Sequence, residues 1–421
     1  MSAPGGVWTD VVGQPEAVGR LHAAAVAARV VIAGANARGR ANSAAAAYTE
    51  PAAAATLAMT HAWLLTGPPG SGRSVAARAF AAALQCNDPH EPGCGQCQDC
   101  HTALTGTHPD VTLITTDQLT IGVDQTRGLI LGASLSPSRQ HWQVLVVEDA
   151  DRLTEGAANV LLKAIEEPAP RTVWVLCAPS SQDMLPTILS RCRHVVLRTP
   201  SPEAVADALA ATEGVDHGRA LQAARAAQSH IGRARALLND PAAESGRLQS
   251  LRLPGEVGDI GRALKAAQSL VDAAAAEAKA VSEKLDAKET DELKVALGYG
   301  QGKGSGSARG VAGSAGLLKE LETKQKRRAT RTQRDALDRA LVDIAAFYRD
   351  VLAYQFGALD AGVAQLVHGD RARESASLAA ASTPESTLRR IESVLDARRA
   401  IAANVAPLLA VEAMAMALRA G

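Results

Sequence analysis

The sequence predicts an α/β domain with a parallel sheet covered by helices on both faces, followed by a region that is entirely helical. Short runs rich in Val, Ile and Leu alternate with helical segments between residues 61 and 200. A glycine-rich loop follows the first of these runs. After Pro202 the sequence shows no strand pattern, and helical periodicity dominates.

Length and charge limit the classes of protein to consider. A chain of 421 residues is long enough for about three domains. The 44 basic and 44 acidic residues balance, which argues against a polyanion-binding surface spread over the whole chain. The first residues lack the features of a signal peptide, and no stretch approaches about 18 consecutive strongly apolar residues. We expect a cytoplasmic protein without membrane contact.

The first elements are a helix over 15–32 and an Ala-rich segment over 33–58, which we interpret as a surface insertion. Five strands follow from their apolar, β-branched composition. They are expected at 61–66, 111–115, 143–147, 172–177 and 194–197. Helices are expected between them at 74–84, 125–135 and 154–166, the second with Asp124 as its N-cap.

The loop after the first strand reads Gly-Pro-Pro-Gly-Ser-Gly-Arg-Ser and matches the phosphate-binding pattern G-x-x-x-x-G-K-[ST], except that Arg73 replaces the lysine. Its backbone N–H groups and the following helix N-terminus would bind phosphates, with Ser74 on Mg²⁺. The planar guanidinium is bulkier than an ammonium, which argues against hydrolysis. The alternative is a turn without a ligand. The candidate nucleotide-binding positions are Gly67, Pro68, Pro69, Gly70, Ser71, Gly72, Arg73 and Ser74.

The acidic half of a nucleotide site is expected after the strand at 143–147, where Glu148 and Asp149 follow. The usual order is Asp for the Mg²⁺ shell and then Glu for the attacking water. Here the two are reversed, which displaces each carboxylate and also argues against efficient hydrolysis. Solvated acids at the end of a strand are the alternative.

Four cysteines form the pattern C-x₇-C-x₂-C-x₂-C within a zinc module at 86–100. Four thiolates at this spacing favour a closed structural zinc site. A ferredoxin-type cluster would need a further Cys-Pro, and the C-x-x-C-H match to a haem-attachment pattern is interpreted as accidental. Nearby histidines are alternative ligands, more simply surface residues, and Cys177 is expected in the core. The proposed ligands are Cys86, Cys94, Cys97 and Cys100, and the histidines are His90, His101 and His108.

Two further segments are notable. Arg191, in Ser-Arg-Cys after a helix beginning near Leu185, is by local sequence alone a helix-end or surface ion-pair residue. Eight glycines between 298 and 316 predict a flexible loop, which a basic helix over 319–334 follows. We interpret that helix as a solvated face, with contact to DNA or a partner as the alternative.

Together these segments resemble a family. Val-Val-Gly-Gln at 11–14, the glycine-rich loop, the cysteine cluster, residues 159–168 and Ser-Arg-Cys at 190–192 occur in the order found in bacterial clamp-loader subunits of the AAA+ class. The resemblance covers roughly residues 8–240. It implies an AAA+ (RecA-like) nucleotide-binding domain over 1–200, a small helical lid over 201–245 and an all-α collar domain for oligomerisation over 246–421.

Within this family the chain looks like the delta-prime class of DNA polymerase III, because the altered loop and reversed acids differ from the gamma/tau ATPase. Its Ala/Arg-rich composition is similar to actinobacterial members. The resemblance implies that Arg191 is an arginine finger acting on a neighbouring subunit's ATP. It further implies that Arg233 is a lid arginine, that Val11 and Val12 lie near an adenine, and that zinc occupies the cysteine module.

The sequence therefore favours a clamp-loader subunit that hydrolyses little ATP itself and works with gamma/tau and delta subunits, a sliding clamp and primed DNA. Whether ATP with Mg²⁺ occupies its own loop is left open. One alternative is a competent AAA+ ATPase that uses Arg73. Another is a zinc-dependent nucleic-acid-binding protein, which the balanced charge disfavours.

Overall fold

The computed structural model describes residues 4–40, 58–115, 120–134, 136–138, 141–296, 314–362 and 364–420. The chain forms two compact units. The first contains residues up to 234 except 117–119 and 225–227, and the second contains these two stretches and residues 235–421. The predicted boundaries at 200 and 245 remain predictions.

The first unit contains a five-stranded parallel sheet with the strand order β2-β3-β4-β1-β5. All five predicted strands are present, with ends displaced by one residue at most. The strands are β1 Ala62–Thr66, β2 Val111–Ile114, β3 Gln143–Val147, β4 Thr172–Ala178 and β5 Arg193–Val196. Because all strands run the same way, the loop after β1 and the acids after β3 lie at one edge of the sheet.

Strands β1, β3 and β4 are buried throughout, which explains their continuous apolar sequences. Alternate side chains enter two different cores. On one face Trp63 packs in a cluster with Leu21 and Phe80. On the other face Trp174 packs in a cluster with Leu161. The predicted parallel sheet with helices on both faces is confirmed, and it fits the AAA+ fold.

Nine helices accompany the sheet or follow it in the described chain up to residue 239. They are α1 Pro15–Arg40, α2 Arg73–Gln85, α3 Gln98–Thr105, α4 Val123–Ala133, α5 Glu155–Glu166, α6 Pro186–Leu189, α7 Pro202–Glu213, α8 His217–Ala226 and α9 Ile231–Asn239.

Two expectations about these helices are wrong. Helix α1 continues to Arg40, so the first eight residues of the predicted insertion are helical, and residues 41–57 lie outside the described residues. The N-cap of α4 is Gly122 rather than Asp124. Asp124 lies instead in the first turn, where a carboxylate interacts favourably with the helix dipole.

Part of α1 is apolar and long enough to cross a membrane. The segment Pro15–Gly34 has this length and composition, and 39% of its most apolar stretch is buried. Val18, Leu21 and Ala24 of this segment pack in the core cluster of the first unit. Packing against the domain therefore covers part of the apolar surface of this helix, while Val26 and Val30 are exposed.

The described part of the second unit contains helices and no strand. Its helices are α10 Pro241–Ser250, α11 Leu253–Glu256, α12 Ile260–Ala296, α13 Ser314–Gln355, α14 Ala372–Ala381, α15 Pro384–Ala402 and α16 Pro407–Ala420. Leu341, Tyr348 and Val411 are in its core. The predicted glycine-rich loop lies outside the described residues, except that α13 already begins at Ser314.

The basic helix at 319–334 is the N-terminal half of α13, and it is only partly a solvated face. Lys319 and Lys324 are exposed. Arg328, in contrast, is buried and donates to Glu289 on α12 at 2.9 and 2.7 Å, and also to Asp286. Arg328 therefore joins the two long helices, because a buried guanidinium requires a charged partner.

A second buried arginine joins α10 to the segment before α14. The Nη2 of Arg247 lies 2.8 Å from Glu244 Oε1 and 2.8 Å from Asp370 Oδ2. Burial raises the pKa of Asp370, but the hydrogen bond and charge of Arg247 outweigh it, so this pKa lies below its ordinary value. The ionised pair therefore stabilises the second unit.

Candidate functional site

The glycine-rich loop connects β1 to α2 with a backbone that requires glycine at two positions. Gly70 and Gly72 have φ values of 88° and 86°, in the region that side chains avoid. Gly72 is the N-cap of α2, which begins at Arg73. The amide of Ser71 donates to the Pro68 carbonyl at 3.0 Å and closes a turn. The loop thus ends at a helix N-terminus, as a phosphate-binding loop does.

The segment before α9 packs directly on this loop. A Cβ on Gly70 would lie 2.9 Å from the Cα of His230. Two residues before His230 have left-handed backbone, Gln228 at φ 51° and Ser229 at φ 63°. Arg233, the predicted lid arginine, is in the first turn of α9, and its amide donates to His230 Nδ1 at 3.3 Å. Sequence reasoning identified Arg233 but not His230.

Residues 11–14 are attached to the loop through Gln14. The Gln14 Nε2 donates to the Ser71 carbonyl at 3.1 Å and to the Arg198 carbonyl, while its Oε1 accepts from the Arg198 amide at 3.1 Å. Val11 is buried and Val12 is half-buried beside it. Gln14 therefore holds the loop to the chain that follows β5, a role that its place in Val-Val-Gly-Gln did not reveal.

The unusual Arg73 bonds back to its own loop. Its Nη1 donates to the carbonyl oxygen of Gly67. The Ser71 hydroxyl beside it is buried, and it has no hydrogen-bond partner among the described residues. The guanidinium is thus engaged within the loop, while Ser74 is half-buried in the first turn of α2.

The two acids after β3 face arginines of the same chain. Glu148 is largely buried, and its Oε1 accepts from Arg78 Nε on α2 at 2.7 Å. Asp149 Oδ1 lies 3.9 Å from Arg152 Nε. A carboxylate held by an arginine is a weaker ligand for Mg²⁺ and a weaker orienter of water than an unengaged one. Arg78 carried no sequence signal, since it occupies an ordinary helical position.

The thiol of Cys177 shows that these charges share one edge of the sheet. Cys177 is fully buried near the end of β4, as predicted, and burial raises its pKa to about 12. The negative charge of Glu148 adds to this rise, and the positive charge of Arg73 opposes it. The structure therefore brings the altered loop and the reversed acids together.

The four predicted cysteine ligands form one compact cluster. Their sulfur atoms all lie within 4.8 Å of one another, with Cys86 Sγ and Cys97 Sγ 4.0 Å apart. Tetrahedral coordination with metal–sulfur bonds of about 2.3 Å requires sulfur separations of about 3.8 Å. All four thiols are free of disulfides. The cluster could therefore hold a metal ion with little movement.

Backbone amides of the cluster point to three of its four sulfur atoms. The amides of Cys94, Cys97 and Cys100 each lie 3.4 Å from the sulfur of another cysteine in the set. A hydrogen bond from Cys100 lowers the pKa of the Cys86 thiol well below its ordinary value, while the same bond raises the pKa of Cys100 and burial raises that of Cys94. Thiolate is the form that binds metals.

The cluster lies between α2 and α3 and touches the N-terminal segment. Cys86 is the C-cap of α2 and Cys97 is the N-cap of α3. Trp8 Nε1 donates to the Pro92 carbonyl at 3.1 Å. Of the three nearby histidines, His108 is not a surface residue as expected, because it is buried with Nε2 3.5 Å from Asp99 Oδ1.

Arg191 lies between α6 and β5, outside the loop just described. Its side chain is 39% exposed, and its Nη2 lies 2.6 Å from Oε1 of Glu166, the last residue of α5. Its Nη1 donates to the Thr187 carbonyl at 2.9 Å and to Ser190 Oγ at 3.0 Å. The surface ion pair that local sequence suggested is present, and its partner Glu166 was not identified from the sequence.

Comparison with known proteins shows which family part of this chain is similar to. Residues 49–201, which contain the loop, the cysteine cluster and Arg191, match the sequence model of the family described as DNA polymerase III, delta subunit. This part of the chain is therefore similar to clamp-loader subunits.

Curated relatives include DNA polymerase III subunit delta' of Haemophilus influenzae, 36% identical over 39% of this chain and 50% of that protein. The Pseudomonas aeruginosa subunit delta' is 38% identical over 35% of this chain and 45% of that protein. The gamma/tau subunit of Mycobacterium bovis is 31% identical over 36% of this chain and 27% of that protein. The chain thus spans about half the length of the delta' relatives it matches.

The similarity to clamp-loader subunits is concentrated in the sheet-containing region. The family match includes Arg73, Glu148 and Arg191 but neither Gln14 nor Arg233. The contacts of Gln14 with the loop are thus known from the structure alone, and the role of Arg233 as a lid arginine stays a prediction. Among solved structures, a DNA polymerase III gamma subunit-related protein of Thermotoga maritima aligns with TM-score 0.34 and 18% identity, over 85% of this chain and 93% of that chain.

Proposed function

We propose that this chain is a delta-prime-type subunit of a DNA polymerase III clamp loader that contributes structure and Arg191 but does not hydrolyse ATP productively. The observation that carries the proposal is the contrast between two arginines. Arg78 pairs with Glu148, whose side chain is only 12% exposed at the chain's own site, whereas Arg191 pairs with Glu166, whose side chain is 45% exposed at the surface. In this proposal the chain's own site lacks an unengaged acid after β3, while Arg191 can exchange its exposed partner for a phosphate of a neighbouring subunit.

The proposed chemistry of Arg191 is electrostatic. A guanidinium that approaches the γ-phosphate of ATP bound by a neighbouring subunit stabilises the charge that develops in phosphoryl transfer. Because the guanidinium cannot lose its proton near neutral pH, it acts as a fixed positive charge. The partners in this proposal are gamma/tau and delta subunits, and together they would open a sliding clamp and place it on primed DNA in the cytoplasm.

The chain's own loop keeps the shape of a nucleotide site without its full chemistry. If ATP with Mg²⁺ binds there, the N-terminal amides of α2 would meet the phosphates and Ser74 would meet the metal. Arg73 would first have to leave the Gly67 carbonyl, and Glu148 would have to leave Arg78. Both costs oppose hydrolysis, and the unpartnered hydroxyl of Ser71 is the group left available to a bound anion.

For the cysteine cluster we propose a structural zinc ion. The four sulfur atoms are close enough for tetrahedral coordination, and four protein ligands leave no open position for substrate. When bound, zinc would fix α2, α3 and the loop between them. The contact of Trp8 with Pro92 places this module beside the N-terminal segment that leads to Gln14.

The function is tested by reconstitution. The purified chain is mixed with the gamma/tau and delta subunits of the same organism, and loading of labelled sliding clamp onto primed DNA is measured. We expect a stable complex, and loading that depends on this chain. Phosphate release by the chain alone should stay at background. Failure to join the complex, or loading that is equally fast without the chain, would refute the proposal.

A further inference from the structure

The contacts of Arg191 suggest how an exposed arginine keeps one orientation. Its guanidinium has three partners on two elements: the Glu166 carboxylate at 2.6 Å, the Thr187 carbonyl at 2.9 Å and Ser190 Oγ at 3.0 Å. Thr187 and Ser190 belong to the short helix α6 and its end, so they move with Arg191. Glu166 ends α5, which packs against the sheet through Leu161 and Ile165.

Without Glu166, the long side chain of Arg191 would be tied only to its own short helix. An unrestrained arginine side chain loses rotamer entropy when it engages a ligand, and this loss weakens its effect. A carboxylate on a rigid helix restricts the arginine side chain before the ligand arrives, so less rotamer entropy is lost on binding. The pair is exposed on both sides, 39% for Arg191 and 45% for Glu166, so it is weak enough for a phosphate to compete for the same guanidinium.

We infer that Glu166 is a positioning residue for Arg191, holding the guanidinium in the orientation in which it meets a phosphate of a neighbouring subunit. This inference rests on the proposed function of Arg191. Glu166 does not touch the reacting atoms. It acts only through Arg191, and its effect should therefore disappear when Arg191 is absent.

The test uses the reconstituted complex and measures kcat and KM for ATP in its DNA-stimulated ATPase. Glu166→Ala should lower kcat about two- to fivefold, the range expected from an exposed ion pair, with KM for ATP unchanged. Glu166→Gln keeps a hydrogen-bond acceptor and should recover part of the loss. Glu167→Gln, the same chemical change at the adjacent exposed position, should behave as the unmodified chain.

A double-mutant cycle separates positioning from a general structural effect. Glu166→Ala combined with Arg191→Ala should be no slower than Arg191→Ala alone, and Glu166→Ala should leave the thermal midpoint of the isolated chain unchanged. Full activity of Glu166→Ala, or a loss that adds to that of Arg191→Ala, would overturn the inference. If Arg191→Ala itself has no effect, the proposed function fails instead, so the two failures are distinguishable.

Discussion

Glu148 accepts a 2.7 Å hydrogen bond from Arg78 of helix α2, 70 residues earlier in the chain. The pair occupies the position where an ATPase of this fold presents acidic groups to Mg²⁺ and water. Arg73 meanwhile bonds to the Gly67 carbonyl of its own loop. The site therefore departs from a hydrolytic one in its loop, in its acid order and in an internal ion pair.

We first predict that Arg73→Lys will not create an ATPase. The substitution supplies the lysine of the phosphate-binding pattern, but Glu148 remains paired with Arg78 and the order of the two acids remains reversed. Phosphate release from ATP by the isolated chain should stay at background for both Arg73→Lys and Arg73→Ala. Appearance of turnover in Arg73→Lys alone would show that residue 73 is the sole defect.

The loop should be sensitive to a single methyl group at Gly70. Gly70→Ala places a Cβ 2.9 Å from the His230 Cα at a φ of 88°, and backbone cannot move aside as a side chain would. We expect the free energy of unfolding to fall by about 3 kcal/mol, from strain and overpacking together. Denaturant titration of the purified chain measures it.

Gly72→Ala is the matched control for this prediction. Gly72 has nearly the same φ, 86°, but nothing lies within 4 Å of its Cβ position. Gly72→Ala should lower the free energy of unfolding by only about 1 kcal/mol, the cost of placing a side chain on left-handed backbone. Equal losses at both glycines would mean that the contact with His230 contributes nothing.

The sheet and its site edge could be predicted because they depend on local patterns. A continuous apolar run such as Val144–Val147 indicates a buried parallel strand, and the loop after β1 carries a pattern of eight residues. The helical continuation to Arg40 was missed because its Ala, Gly and Asn residues fit both helix and insertion. Secondary structure was thus reliable where composition was unambiguous.

The side-chain partners could not be predicted, because they depend on distances between segments far apart in sequence. Arg78 and Glu148 are joined only by the packing of α2 on the sheet, and Glu166 and Arg191 only by the approach of α5 and α6. The contact of His108 with Asp99 likewise exists only in the folded chain. In each case the local sequence shows an ordinary polar residue, and only the fold supplies its partner.

The cysteine cluster should bind one zinc ion per chain. Metal analysis of gently purified protein should give a ratio near one, and Cys97→Ser should lower it strongly because a three-thiolate site is left. Cys192→Ser is the control, since Cys192 is a free cysteine outside the cluster, and it should retain the metal. Substoichiometric metal in the unmodified chain would argue against the site.

The pairing of Arg247 with Asp370 should make stability depend on pH. The pKa of Asp370 lies below its ordinary value of 3.8 in the folded chain, so its ionised form stabilises the fold at neutral pH, and the contribution is lost as the pH falls through the folded pKa. We expect Asp370→Asn to cost about 1 kcal/mol at pH 7, since Glu244 still pairs with Arg247 and Asp370 is partly exposed.

The difference in the free energy of unfolding between Asp370→Asn and the unmodified chain should become smaller below about pH 3.8. Denaturant titration at several pH values measures it. Asp360→Asn is the control, since Asp360 is an exposed carboxylate in the same unit, and it should have little effect. A cost at Asp370 that is the same at pH 3 and pH 7 would exclude the ion pair as its cause.

The most direct test of the account is the ATPase rate of the reconstituted clamp loader containing Arg191→Ala. If Arg191 serves a neighbouring site, the DNA-stimulated rate should fall at least about tenfold, while the variant chain still joins the complex and keeps its thermal midpoint. An unchanged rate in a fully assembled complex would contradict the central claim that this subunit supplies an arginine to its neighbour.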